Sequence, residues 1–332
     1  MTRADLAAGI LWIGATLYAL FGGADFGAGL WDLIAGGAEA GERPRALIQR
    51  SLTPVWEANH VWLIFILVVL WTAFPEAFGA VMSTLYVPIA LAAVGIVLRG
   101  AGFAFRKSIR RLEYRRAMGA AFALSSVLTP FFMGTVVGAI AAGNVPAGGN
   151  GDAFSSWLAP LPLLTGALFV ASGAYLAAIY LLADAHRAED EPMESYFSSR
   201  ALLAGLVAGA VALFGLIALH SEARYVYDRL IVEGLPLVIV SILCGFAVLG
   251  LLLGRGRRGL RPLAAGAVIA VIWGWGVAQF PYLLPTSLRI DQAAAPGPTL
   301  DAILIVFVVA AILVLPALGL LYWLSQRELL GE

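Results

Sequence analysis

The chain has 332 residues, of which 61% are hydrophobic and only 13% are charged. A soluble domain is about 45–50% apolar and about 25% charged, so this composition excludes a soluble globular protein and predicts an integral membrane protein. The formal net charge is zero at pH 7, so the total charge indicates nothing about binding partners.

The apolar residues form continuous runs of about 20 residues, the length that an α-helix needs to cross a bilayer. A β-barrel would instead show short segments of alternating polarity. We therefore predict an all-α membrane protein whose residues 1–332 form a single polytopic domain. The nine predicted spans are 6–33, 58–75, 78–99, 117–142, 158–183, 200–219, 235–254, 260–281 and 301–324.

The distribution of positive charge predicts the orientation. Most of the 21 basic residues fall in loops that would share one side, residues 34–57, 99–116, 184–200 and 254–261. The opposite side would carry only Arg3, Arg224, Arg229 and Arg289. Because positive charge collects on the cytoplasmic side, we predict an outside N-terminus and a cytoplasmic C-terminus.

The first predicted span contains an acid, Asp25, among the small residues of Gly22 to Gly29. Small residues at this spacing let a second helix approach closely. Two interpretations of Asp25 remain open. It is either a helix-end acid paired with an arginine or a backbone group, or a contact to a proton or quinone pathway.

The stretch from Pro54 to Leu63 places an acid, an amide, an imidazole and two indoles at the mouth of the second predicted span. Glu57 is either a first-turn acid favoured by the helix dipole or a proton relay. His60 is a second relay group, a haem ligand or a satisfied polar group in a helix interface. Ionisable groups at such a place usually pair, face a water-filled cavity or carry function.

The third predicted span ends at Arg99, ahead of the basic run 106–116. The run is typical of a positive anchor at the lipid headgroups. Arg99 lies deeper, so we expect it to pair with Glu57 or Asp25. Further along, residues 186–194 are predicted to form a solvated acidic loop, and Pro281 is predicted to end the eighth span.

The three histidines of the chain are scattered, and the other two, His186 and His220, are placed at predicted helix ends. Such a set cannot supply the axial ligands of several haems. The sequence also contains no Cys/His cluster and no grouping of residues typical of a hydrolase, so we expect no bound metal.

Several of these stretches resemble subunit II of the cytochrome bd-type quinol oxidases. Residues 53–64, Thr-Pro-Val-Trp-Glu-Ala-Asn-His-Val-Trp-Leu-Ile, are similar to the family's Pro-x-Trp-acid-x-Asn-x-Val-Trp-Leu signature. Residues 23–29 resemble the end of the family's first helix. Residues 74–106 and 280–287 resemble its Phe-Pro…Arg-Pro-x-Gly-Phe and Phe-Pro-x-x-x-Pro-Ser-Ser segments.

The resemblance implies an enzyme of the bacterial cytoplasmic membrane that oxidises quinol and reduces dioxygen to water. Haems b and d and the quinol-oxidation site would belong to a partner, subunit I. Subunit II would carry no haem, form two four-helix bundles plus one extra helix, help to enclose the haems and contribute to the cytoplasmic proton path. A small accessory subunit and a structural quinone are left open, and we expect no nucleic-acid partner.

The resemblance also assigns roles to individual residues. Glu57 matches the acid of the signature and would serve the proton path, with His60 and Asp25 as further candidates. The residues that match the motif frame or a subunit interface are Trp56, Asn59, Trp62 and Arg99. The family often carries Gln where this chain has His60, which leaves an altered relay open.

Two other classes of function remain as alternatives. Intramembrane acids and glycine-interrupted helices also suit a proton-coupled secondary transporter. A third possibility is a purely structural partner subunit, in which the acids serve only packing and the helix dipole.

Overall fold

A computed structural model describes residues 2–37, 39–52, 56–106, 112–254 and 256–326. The helices are α1 Arg3–Leu17, α2 Gly23–Leu33, α3 Glu42–Leu52, α4 Trp56–Ala73, α5 Pro75–Thr84, α6 Tyr86–Arg106, α7 Leu112–Ala141, α8 Pro160–Arg187, α9 Glu191–Glu222, α10 Arg224–Leu230, α11 Leu235–Leu253, α12 Leu260–Gln279, α13 Ile290–Ala293 and α14 Gly297–Gln326. A π-helical segment, Tyr18–Gly22, joins α1 to α2. The described strands, β1 Tyr282–Leu284 and β2 Leu288–Arg289, form an antiparallel hairpin.

Seven helical segments of the described chain are long and apolar enough to cross a membrane. They are Arg3–Leu33, Gly119–Ala141, Pro160–Arg187, Glu191–Glu222, Leu235–Leu253, Leu260–Gln279 and Gly297–Leu321. Two further helices, His60–Ala73 and Pro75–Thr84, are long and apolar enough to cross a membrane only when they are taken together, and they meet at a sharp bend. A shorter apolar helix covers Tyr86–Gly102. The sequence therefore predicts the helical membrane class correctly.

The boundary between the second and third predicted spans, 58–75 and 78–99, is wrong. Pro75 begins a separate helix, α5, which is bent by 117° from the helix before it. The preceding residue, Phe74, has non-helical backbone angles, as expected for a residue before proline. The sequence is apolar again from Ala77 onward, so hydropathy alone could not show that α6 begins only at Tyr86.

The predicted solvated loop at residues 186–194 is exposed over most of its length but is shorter than predicted. Helix α8 continues to Arg187 and α9 begins at Glu191, so the connection is short. The Asp190 side chain accepts from the Met193 N–H at 3.2 Å and caps α9. Acids in the first turn stabilise a helix N-terminus, so this acidic composition favours a helix start rather than a loop.

An amphipathic helix, α3, lies in the connection that the sequence predicts as a loop, residues 34–57. Ile48 on α3 is buried against the core around α8. Arg43 pairs with Asp190 at 2.9 Å, and Ser51 Oγ donates to Asp184 at 3.2 Å. These contacts fasten α3 to the end of the helix bundle where α8 and α9 meet.

The eighth predicted span does end before Pro281, since α12 stops at Gln279. The chain then forms the β1–β2 hairpin, which packs with the adjoining α13 into a core beside α1, α5 and α7. Gln279 is buried, and its Nε2 donates to the Leu283 carbonyl at 2.7 Å. The hairpin therefore closes this end of the bundle in a way that the sequence does not predict.

Glycines allow α2 and α8 to pack with their backbones in contact. A Cβ on Gly27 would lie 2.0 Å from the Gly173 carbonyl oxygen, and a Cβ on Gly173 would lie 2.6 Å from the Gly23 carbonyl oxygen. Trp31 on α2 also donates from its indole Nε1 to the Ala174 carbonyl at 2.9 Å. This seam holds the first membrane-spanning segment against the middle of the chain.

Replacing Gly27 by alanine should therefore destabilise the protein, because the contact is backbone and cannot relax by rotating a side chain. We expect a loss of about 1–3 kcal/mol, the usual cost of overpacking, seen as a lower melting temperature of the detergent-purified protein. The matched control is Gly209→Ala in α9, where an added Cβ meets nothing within 4 Å. Equal melting temperatures for both variants would contradict the close backbone packing of α2 against α8.

Candidate functional site

A buried ion pair joins α2 to α6. Arg99 Nη2 lies 2.9 Å from Asp25 Oδ1, and the two side chains are 3% and 1% exposed. The same nitrogen donates to the backbone carbonyl of Asp25 at 2.9 Å. Isolated charges in an apolar interior are very costly, so each of these groups depends on the other. Of the two predicted partners of Arg99, the structure shows Asp25.

A third helix, α7, completes the surroundings of Arg99. Arg99 Nη1 donates to Ser126 Oγ, which in turn donates to the Phe122 carbonyl at 2.6 Å. The guanidinium carbon lies 4.5 Å from the centre of the Phe122 ring and 4.8 Å from that of Phe26. Arginine suits this position because its planar group can donate at its edge while its faces contact aromatic rings.

The carboxylate of Asp25 is less fully engaged than the guanidinium. Although Arg99 neutralises its charge, neither Oδ1 nor Oδ2 accepts a hydrogen bond from the described part of the chain. The site therefore combines a charge-neutral pair with an open acceptor.

Two glycines make room for this group. A Cβ on Gly29 would lie 2.2 Å from Ser126 Oγ and 2.9 Å from Arg99 Nη1. A Cβ on Gly95 would lie 2.2 Å from Thr129 Oγ1, and Thr129 is fully buried. The hydroxyls of α7 can thus come close to α2 and α6 only because these positions lack side chains.

The π-helical segment Tyr18–Gly22 precedes Asp25 by less than one turn. Such segments are rare in helices and occur frequently at functional sites. The Tyr18 ring covers Gly22, and its hydroxyl donates to the Met133 sulfur at 3.8 Å. The segment alters the helical register of α2 relative to α1, and so helps to set the direction of Asp25.

His60 lies in the same region of the protein. Its ring packs edge-on against Phe26, with 5.9 Å between the ring centres, and Phe26 is also the ring beneath Arg99. The structure thus brings together three of the predicted site residues, His60, Asp25 and Arg99.

The remaining residues of the predicted mouth are only partly described. Thr53 and Pro54 lie outside the described residues, as do the side chains of Trp56, Glu57 and Asn59, although α4 begins at Trp56. Glu57 precedes His60 by three positions in α4.

Trp62 belongs to a different part of α4. It is half-buried, and its ring packs edge-on against Phe65 with 6.2 Å between the centres. Phe65 in turn contacts Phe307 of α14 at 5.9 Å. Trp62 therefore lies on the side of α4 that is associated with α14.

Sequence reasoning missed the residues that α7 contributes, Phe122, Ser126 and Thr129. One signal was present, because Ser125, Ser126 and Thr129 recur at helical spacing within an apolar span. Polar side chains at such spacing often form contacts between membrane helices. Their partner could not be identified from the sequence, since nothing there specifies which helix α7 faces.

The histidines provide no facing pair of ligands. His186 contacts Glu194 at 2.9 Å, His220 contacts Arg224, and His60 packs against Phe26, all at separate places in the fold. Within the described ranges, no three metal-ligating side chains come together.

Comparison with known proteins gives matches along the whole chain. Residues 4–325 match the model of the family described as cytochrome bd terminal oxidase subunit II. The putative cytochrome bd menaquinol oxidase subunit II of Bacillus subtilis is 20% identical over 98% of this chain and 96% of its own length. The cytochrome bd-I ubiquinol oxidase subunit 2 of Escherichia coli K12 is 29% identical over 40% of this chain and 34% of its own.

A solved structure agrees in fold. A chain of the bd oxidase from Geobacillus thermodenitrificans superposes with a TM-score of 0.83 at 25% identity, and the match covers 98% of both chains. The overall helical arrangement is therefore similar to that of a chain of a known oxidase.

Replacing Asp25 by asparagine should leave Arg99 buried without its counter-charge. Breaking a buried pair in this way costs about 3–5 kcal/mol, so we expect a strongly reduced yield of folded protein and a lower melting temperature in detergent.

The matched control is Asp301→Asn, which breaks an exposed pair with Arg3 whose side chains are 44% and 61% exposed. An exposed pair contributes about 0–1 kcal/mol, so this variant should behave like the wild type. If Asp25→Asn were recovered as well as Asp301→Asn, the buried pair would not be essential to the fold.

Proposed function

We propose a function on the premise that the chain belongs to the cytochrome bd terminal oxidase subunit II family, whose model matches residues 4–325. The protein is a subunit of a cytochrome bd quinol oxidase complex, an oxidoreductase of the bacterial membrane. Within that complex we assign to it the role of a haem-free subunit that supports the haem-bearing subunit I. The match along almost the whole chain carries this proposal.

The proposed absence of haem from this subunit is supported by the chemistry of its donors. The three histidines have neighbours at separate places in the fold: Glu194 for His186, Arg224 for His220 and Phe26 for His60. Haems b and d, and the oxidation of quinol, are accordingly assigned to subunit I. This chain would contribute the apolar helices that surround subunit I on one side.

The reduction of dioxygen to water consumes protons as well as electrons, and we propose that this chain helps to supply the protons. Glu57 would take them up at the start of α4, and His60 would lie one turn further into the membrane. Asp25 would be the next group in the path. The residue after it, Phe26, contacts His60, and the Asp25 carboxylate accepts no hydrogen bond from the described residues.

The ion pair also favours a second role for Asp25. A carboxylate that neutralises a buried arginine stabilises the fold whether or not it transfers a proton. Arg99 is 2% exposed, so we assign it to the interior of this subunit and not to the surface that contacts subunit I. Trp56, Asn59 and Trp62 on α4 remain the proposed contacts to the partner.

We propose nine membrane crossings, with the N-terminus outside and the C-terminus in the cytoplasm. The seven long apolar helices, the bent pair at α4 and α5 and the apolar helix Tyr86–Gly102 support this number. The excess of basic residues in alternate connections supports the orientation. Two four-helix bundles plus one helix would then follow from the similarity to the family.

The first test is to purify this chain, tagged, from its native membrane in mild detergent and to record a reduced-minus-oxidised visible spectrum. We expect a haem protein to co-purify and its absorption bands to be absent when the chain is expressed alone. A colourless protein without a partner would contradict the oxidase role and favour a proton-coupled transporter.

The proton path is tested by Glu57→Gln in the purified complex. We expect quinol-driven oxygen consumption to fall severalfold while the haem spectrum and the yield stay unchanged, because only the transferable proton is removed.

The matched control is Glu76→Gln, another first-turn acid, which follows Pro75 at the start of α5. This substitution removes any stabilisation that the Glu76 carboxylate gains from the helix dipole, and Glu76 is not a member of the proposed path. Unchanged oxygen consumption in Glu57→Gln would show that Glu57 serves only the helix start.

A further inference from the structure

Asp32 is a buried acid that the proton path described above does not use. It lies in the last turn of α2 and is 6% exposed, and with Asp25 it is one of two buried acids on this helix. Ionisable side chains are costly in an apolar interior, so those that persist there are usually paired or functional. The position of Asp32 on α2 and its single named ion partner distinguish between these two uses.

Both acids of α2 lie on one face of the helix. Asp32 follows Asp25 by seven positions, which is almost two full turns, so the two side chains leave the helix in nearly the same direction. At a rise of about 1.5 Å per residue, the two residues are about 10 Å apart along the axis. Helix α2 is continuous between them, and Asp32 is the nearer of the two to the connection with α3.

The interval between the two acids is polar. Gly29 lies between them on this face of α2 and has no side chain, and the space beside it is occupied by the Ser126 hydroxyl and by Arg99 Nη1. Arg99 donates to that hydroxyl, so both groups are fixed in place. They form a polar wall along which water can connect the two carboxylates, which are too far apart for a direct hydrogen bond.

The partner of Asp32 connects it to the surface. Arg45 Nε of α3 lies 3.3 Å from Asp32 Oδ1, and the side chains are 24% and 7% exposed, respectively. In the pair of Asp25 and Arg99, by contrast, both side chains are almost completely buried. Asp32 therefore lies between a residue that reaches water and an acid that does not.

The attachment of α3 does not depend on this carboxylate. Arg45 also donates to the carbonyls of Gly36 and Gly37, at 2.6 and 3.1 Å, and Ile48 anchors α3 in the core around α8. Arg43 adds a further ion pair to α9 at 2.9 Å. Since α3 is held by these other contacts, its packing alone does not explain a buried acid at position 32.

We propose that Asp32 delivers protons to Asp25 along α2, in parallel with the proposed uptake at Glu57. The Asp32 carboxylate takes a proton from water beside Arg45, passes it to Asp25 by way of water along the polar wall and returns to its charged form. The inference rests on the proposed function, because the reduction of dioxygen is the reaction that consumes these protons. The route is confined to α2 and does not pass through His60.

The experiment measures quinol-driven oxygen consumption per haem in the purified complex, in H₂O and in D₂O. Asp32→Asn should lower the rate about fivefold and raise the ratio of the rates in H₂O and D₂O, because proton delivery then limits turnover. Asp32→Glu should keep most of the rate, since it retains a carboxylate that can carry a proton.

The matched control is Asp190→Asn. Asp190 also pairs with an arginine of α3, Arg43, but it precedes α9 and does not belong to α2. Its substitution should leave the rate per haem and the ratio of rates unchanged. A role of Asp32 in attaching α3 would instead make the two asparagine variants behave alike.

A second measurement uses the wild-type complex and does not depend on the assembly of Asp32→Asn. Dicyclohexylcarbodiimide reacts with protonated carboxyl groups in apolar surroundings, and the modified residues can be identified by mass spectrometry. We expect modification of Asp32, with a loss of oxygen consumption that follows the extent of this modification.

Three results would overturn the proposal. They are a wild-type rate and isotope ratio in Asp32→Asn, equal losses in Asp32→Asn and Asp190→Asn, and inhibition by the carbodiimide without modification of Asp32. Failure of the proposed function is distinguishable, because it would appear as a colourless preparation without a haem-bearing partner. An unchanged rate in Glu57→Gln together with a reduced rate in Asp32→Asn would exclude Glu57 and support the route along α2.

Discussion

The ion pair between Asp25 and Arg99 constrains the structure more than any other contact, because neither charge could be buried alone. A lone charge in a medium of low polarity is so costly that the two residues must meet whenever the chain folds in a membrane. Their meeting fixes the relative position of α2 and α6. Ser126 then brings in α7, since the second nitrogen of Arg99 needs an acceptor. The helices can approach to this extent only because position 29 is glycine. One electrostatic requirement thus determines the packing of three helices and a particular pattern of small residues.

The sequence predicts the class of fold well, because the membrane imposes its own length scale on the chain. Runs of about 20 apolar residues give most spans to within a few residues. The errors occur where hydropathy carries no signal. The sequence is apolar again after Glu76, so hydropathy does not show that residues 75–84 form a separate helix, bent by 117° from the one before it. The acids of 186–194 are typical of a loop, but Asp190 caps α9 and Glu191 and Glu194 lie in its first turn, so the loop is shorter than predicted. Hydropathy measures the preference for lipid or water, whereas these features depend on backbone geometry.

The charged residues of the candidate site could be predicted from the sequence, but the uncharged polar residues around them could not. Arg99 is the innermost base of its connection, so pairing with an acid of another helix was expected, with Asp25 as one of two choices. The choice depends on which helices are adjacent, and that information is absent from a single sequence. The same limit hid Ser126, whose hydroxyl appears in the sequence as one of many small polar residues. His60 was predicted as a residue with three alternative roles. Its contact with Phe26 places it beside the ion pair without deciding among those roles.

The buried ion pair and the proposed proton path place different demands on the side chains. Charges that hold the helices together are buried, paired and surrounded by aromatic rings, as Arg99 is between Phe26 and Phe122. A group that transfers protons must instead remain accessible to water on one side, and α4 begins with an acid at the edge of its apolar run. Phe26 touches both regions, so the fixed pair and the proposed path share one side chain. A change at Phe26 would therefore affect both stability and proton transfer, whereas changes at Glu57 and Ser126 should affect one and not the other. Their comparison is the clearest way to learn whether Asp25 belongs to the scaffold alone.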